Sequence, residues 1–133
     1  MRHVFVFSCL AGIILSIAVY CVRLVVIRTD EATHLAVLLR HQTGEIRFVN
    51  SVTGGSVEIG FSVLDRFRNF SIRTDPVTEA YYSHGVYDLD RAIAGEVQTK
   101  LNFCSMKGIV LRLGFSTYKI QNSCLEAELL WTM

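Results

Sequence analysis

Cys104 and Cys124 are the residues of this chain best placed for covalent chemistry. They bracket "CSMKGIVLRLGFSTYKIQNSC", a stretch of alternating apolar and polar residues. A bond between them would close a loop of about 20 residues, worth roughly 3 kcal/mol by loop-closure entropy. Such a bond persists in a periplasm, an ER lumen or outside the cell and rarely in cytosol. The alternative is a pair of buried free thiols. Outside the N-terminal region the histidines are His34, His41 and His84, and no two have the i, i+4 spacing of a zinc site. "YYSHGVYDLD" (81–90) gathers tyrosines, a serine, His84 and two carboxylates at the end of "TDPVTEAYYSHGVY" (74–87), which reads as the longest irregular segment. His84 is therefore the candidate pH-sensitive residue, since an imidazole titrates between about pH 5 and 8. Neither a nucleophile elbow nor a phosphate loop nor a paired carboxylate accompanies it. The expectation is a protein that is not an enzyme and that uses no metal or cofactor.

The body that must position these residues reads as strands with one helix. "HLAVLLRH" (34–41), the turn "QTGE" and "EIRFVN" (45–50) predict a β-hairpin with a short glycine-containing loop. Gly54-Gly55 punctuates the chain, and "VEIGFSVL" (57–64) follows as the cleanest strand. Val57, Ile59, Phe61 and Val63 share one face of it, against Glu58, Gly60 and Ser62. With Phe115 they are the candidate lining of a core, or of a cavity for a small hydrophobic ligand. In "DRFRNFSIRT" (65–74) the parity shifts between Phe67 and Phe70, which predicts a bulge near Asn69. Leu89, Ile93, Val97 and Leu101 then recur every fourth residue behind Asp88, an N-cap residue type. This spacing predicts a short helix lying on a sheet. Ile109, Leu111, Leu113 and Phe115 return to strand alternation, a turn or bulge is expected at Ser116-Thr117, and "LEAELLW" (125–131) alternates as a closing strand.

The chain has 133 residues, 51% of them apolar, with a formal net charge of +1. Much of the apolar content is local, because residues 4–22 carry no charge and "LVVI" follows Arg23. Tyr20, Val22 and Arg23 stand where a cleaved signal peptide would need small residues. Residues 4–27 are therefore expected to lie in a lipid bilayer as an uncleaved single span, with residues 1–28 as anchor and 29–133 as one domain. That domain holds all 12 acidic groups and ten of the 13 basic ones, so nothing suggests nucleic-acid binding and no nucleic acid is expected as a partner. Arg2 and His3 before the span and Arg23 and Arg28 after it leave the orientation undecided. The cysteine pair points to the domain lying outside the cytoplasm. The expected fold class is α+β, mostly β: a single transmembrane helix, then six or seven strands in a curved sheet or partial barrel with one helix.

In layout the chain resembles the inner-membrane accessory partners of ToxR-like transcription regulators, the group that includes the ToxS, VtrC, PsaF and FidL-like proteins. The residues that carry the resemblance are the start "MRHVFVFSCL", the strand "VEIGFSVLDRFRNF" and the tail "DLDRAIAGEVQTKLNFCSMKGIVLRLGF". The resemblance implies a periplasmic domain that forms a heterodimer with a membrane-bound regulator, stabilises it and aids its response to an envelope signal. A minor pilin or secretion-system component is the alternative, although no acidic residue precedes Asp30 where a pilin helix carries a glutamate. A small envelope ligand carrier is another.

Overall fold

The structure, a computed structural model, describes residues 1–84 and 89–131. Its first element, α1 (Arg2–Cys21), is a helix of 20 residues with none of its side chains buried. At about 1.5 Å per residue it matches a hydrocarbon core of about 30 Å. Ser16 Oγ donates to the Gly12 carbonyl one turn earlier at 2.8 Å. The helix is compatible with a single-pass membrane anchor.

The apolar run does not continue as helix to residue 27. At Val22 the chain turns to strand, and β1 (Val22–Thr29) buries Arg23, Val25 and Ile27 on alternate positions. The reason lies in "VRLVVIRT", in which five of eight residues are β-branched and favour a pleated surface. Residues 22–27, expected as part of the span, are therefore strand and belong to the four-stranded sheet.

The remaining strands are β2 (Thr33–Leu39), β3 (Thr43–Val49), β4 (Ser56–Val63), β5 (Phe67–Thr74), β6 (Lys100–Ser105), β7 (Ile109–Leu113), β8 (Ser116–Ile120) and β9 (Ser123–Leu129). They form two antiparallel sheets, ordered β2-β1-β9-β6 and β5-β4-β3-β7-β8. The fold is α+β and mostly β, with nine strands among the described residues where six or seven were expected. The predicted hairpin of 34–41 with 45–50 does not form. β2 pairs with β1, and after a turn at His41 (φ 73°) the chain crosses to the other sheet, where β3 pairs with β4 and β7. The bulge near Asn69 is present: Asn69 has φ 55°, and the β4–β5 register shifts between Gly60 and Ser62. The reversal near residue 116 is a two-residue loop, Gly114-Phe115, with Gly114 at φ 55°.

Between the sheets lies one core. Val25, Ile27, Leu38, Leu125 and Ala127 face Ile46, Phe61, Val63, Phe67 and Leu111. Phe61 stacks edge-on against Phe67 at 5.4 Å, and its ring occupies the space that a side chain at Gly44 would need. Two helices join β5 to β6. α2 (Pro76–Ser83) was expected to be irregular, yet Asp75 caps it by accepting from the Thr78 amide at 3.0 Å, and Pro76 begins it. α3 (Leu89–Ala94) is shorter than the four-residue period suggested, and it packs on β5. Val97 and Leu101 lie beyond it, Leu101 within β6, and Asp88 lies outside the described residues.

Candidate interaction site

Cys104 and Cys124 face each other across the β6–β9 pair and are joined, with S–S 2.04 Å and Cα–Cα 4.0 Å. The intervening β7–β8 hairpin belongs to the other sheet. The bond thus ties the point where the chain leaves one sheet to the point where it returns. It borders a cavity of about 360 Å³ lined by Asp30, Phe48, Asn50, Tyr82 and Met106. Asn50 organises this end of the sandwich. Its Oδ1 accepts from the Val52 and Thr53 amides at 2.8 and 2.9 Å, and its Nδ2 donates to the Tyr82 hydroxyl at 2.8 Å. Ser123 Oγ donates to Asp30 Oδ2 at 2.8 Å. These polar groups are occupied with one another, an arrangement that ties the loops at this end of the sandwich together.

The other residues singled out in the sequence separate. Phe61 and Val63 are buried in the core between the sheets and Ile59 is half-buried against it, while Val57 is buried but stands outside that cluster. Phe115 does not join them. It is 98% exposed, because it occupies the tip of the β7–β8 loop, where strand alternation no longer sets its direction. His84 ends α2 in a left-handed conformation (φ 55°) and is exposed, and Gly85 to Asp88 of its segment lie outside the described residues. Among the described residues no three His, Cys, Asp or Glu side chains lie close enough to hold a metal ion.

The outer faces of the two sheets differ in chemistry. On the five-stranded sheet, Arg47 bridges Glu45 at 2.6 Å and Glu58 at 3.2 Å, and Arg112 reaches Glu45 at 3.3 Å. That face is a solvated lattice of alternating charge. The four-stranded sheet carries one ionic cluster, Arg28 with Glu126 and Glu128 at 2.7 and 2.8 Å, beside Lys100. Its other side is apolar. Leu35, Val37 and Leu39 of β2 are 56%, 67% and 57% exposed, opposite Val26, Leu24 and Val22 of β1. Contiguous apolar surface of this kind marks interaction sites on soluble domains. β2 is also a sheet edge that no other described strand covers. Across the opening stands β8, the edge of the other sheet, with the His34 and Tyr118 rings 5.6 Å apart. A cleft of about 500 Å³ lined by Ile27, Ala32, His34, Tyr118 and Ile120 runs along this seam.

The opposite seam is held together. Phe67 and Gln98 exchange backbone hydrogen bonds of 2.8 and 3.1 Å, and the Leu129 amide donates to the Thr99 carbonyl at 3.0 Å. The sandwich is therefore closed along β5 and β6 and open between β2 and β8. "HLAVLL" has too much apolar character for an exposed face, a pattern that suits a strand covered on both faces better than one with a wet side. Comparison with protein-family models, with curated proteins and with solved structures finds no match to this chain.

Proposed function

We propose that this protein is a membrane-anchored accessory subunit that binds the extracytoplasmic domain of a membrane-bound transcription regulator, stabilises it and takes part in sensing an envelope signal. The observation that carries the reading is the β2 edge, with Leu35, Val37 and Leu39 uncovered beside an open seam. An unpaired apolar edge is a template for another strand, and strand addition supplies affinity through main-chain hydrogen bonds. Leu39 pairs with Val22, the first residue after α1, so the edge begins at the foot of the helix. A partner anchored in the same membrane meets it at the same height. The Cys104–Cys124 bond suggests an oxidising compartment, and the inner-membrane, periplasmic setting follows from the resemblance to the ToxR accessory group.

A photo-crosslinking amino acid at Val37, with one at Arg112 on the charged face as reference, tests this in the native cell. The expected result is a heterodimeric adduct from Val37 alone, containing a single-span protein with a cytoplasmic DNA-binding domain. An adduct only with a second copy of this chain, adducts from both positions alike, or none from Val37 would each refute the reading.

A further inference from the structure

The end of the sandwich from which α1 departs carries a second feature suited to lipid. A continuous set of backbone hydrogen bonds links the helix end to the β7–β8 loop. The Arg40 amide donates to the Cys21 carbonyl at 2.6 Å, and the His41 amide donates to Val63 at 2.9 Å. The Val63 amide donates back to Gln42 at 2.8 Å, and the Gly114 amide donates to Thr43 at 3.0 Å. A side chain at Gly114 would meet Gln42 and Leu38, which fixes the loop against the β2–β3 turn. Phe115, at the tip, is 98% exposed, more than any other phenylalanine of the chain.

The surroundings of this end are those of a membrane–water interface. Tyr20 lies under the Arg40 guanidinium at 4.4 Å, and Trp131 donates its indole N–H to the Val19 carbonyl at 3.1 Å. Arg66 is exposed in the β4–β5 loop, and Leu39 and Leu130 are more than half exposed. Tyrosine and tryptophan collect at headgroup level, and arginines there meet lipid phosphates. The exposed apolar residues Val52 and Met106, by contrast, occupy loops at the far end of the strands.

We infer that Phe115 is a second bilayer contact: the β7–β8 loop inserts it into the interface beside α1, so that the domain rests on the membrane in one orientation. The inference depends on α1 spanning the membrane, as read above. The bilayer is the occupant because the loop is tied to the helix end and because the ring lies among interfacial residue types. The spanning helix alone leaves the tilt of the domain on the bilayer free, whereas a second contact on the other sheet fixes that tilt.

The test uses the full chain in vesicles of phosphatidylcholine and phosphatidylglycerol, with lipids brominated along the acyl chain as quenchers. Phe115→Trp is compared with Val52→Trp and with the parent, whose Trp131 gives a common background. Emission added by the tryptophan at 115 is expected to shift to the blue and to be quenched by the brominated lipid, while that added at 52 is not. Retention of the protein in the membrane under alkaline extraction is scored in parallel. Retained protein whose added emission at 115 is unquenched overturns the contact alone. Release from the membrane overturns the spanning helix and the contact together.

Discussion

Arg68, at the start of β5, grips Asp65 of the preceding turn through both carboxylate oxygens, Nε to Oδ1 at 2.7 Å and Nη2 to Oδ2 at 2.8 Å. This fork lowers the Asp65 carboxyl from 3.8 to about 2. A carboxyl whose folded value lies below its unfolded one stabilises the fold at higher pH and loses that contribution on acidification. The contribution is fully present above 3.8 and disappears as the pH falls through about 2. Solvent reaches the pair, so its worth is on the order of 1 kcal/mol. Urea titrations of the full chain in detergent from neutral to acid pH should show the parent losing this increment. Asp65→Asn should start lower and lose less, and parallel curves for the two would refute the assignment. Single residues were unevenly legible. The cysteines were readable because a bonded pair needs only proximity, which alternation around a reversal supplies. Phe115 was misread because a parity argument ends where a loop begins. "HLAVLL" shows that both faces of β2 are apolar, but which strand lies beside Leu35, Val37 and Leu39 is not encoded locally.

Among the elements, the β6–β9 pair depends most on a covalent link. It joins segments separated by an entire hairpin of the other sheet, so its register must be found after that hairpin forms or while it folds. The Cys104–Cys124 bond, with a separation of 20 residues, holds this register in the unfolded chain as well. Loop-closure entropy assigns it about 3 kcal/mol. Cys104→Ser with Cys124→Ser should lower the unfolding free energy by that amount, read as the urea midpoint of the oxidised parent against the double variant. Equal midpoints would show that β6–β9 pairing needs no staple. The strands β4, β5, β7 and β9 were legible from two-residue alternation. α2 was overlooked although "DPVTEA" holds its start signals, Asp75 at the cap and Pro76 after it, because eight residues leave too few turns for a period to emerge. The end of α1 was placed too late because hydropathy does not distinguish an apolar helix from the buried strand that follows. The β-branched residues of "VRLVVIRT" do distinguish them.

At the scale of the molecule, two sheets rather than one curved sheet result from the crossing at His41-Gln42, which sends β3 away from β2. A sequence pattern shows which residues face inward but not which sheet they face from, so the open β2–β8 seam was not legible. The same assembly sets how helix and domain are joined. No linker separates them, since β1 begins at the residue after α1. The last carbonyls of the helix are taken up by the domain: Arg23 lies within 3.5 Å of the Val19 and Val22 oxygens, and Trp131 donates to Val19. A cation and an indole donor at a helix C-terminus satisfy orphan carbonyls and oppose the helix dipole. These bonds couple the domain to the helix, as the proposed role in sensing an envelope signal requires. Trp131→Ala removes one hydrogen bond of about 1 kcal/mol, so local opening at the junction should rise roughly five-fold. Amide hydrogen exchange of the full chain in lipid nanodiscs should show that gain at Tyr20 to Leu24. Amides of Ile46 and Leu111, in the core of the other sheet, should keep their protection. Unchanged exchange at the junction would mean that helix and domain move independently, which would leave the proposed role resting on partner binding alone.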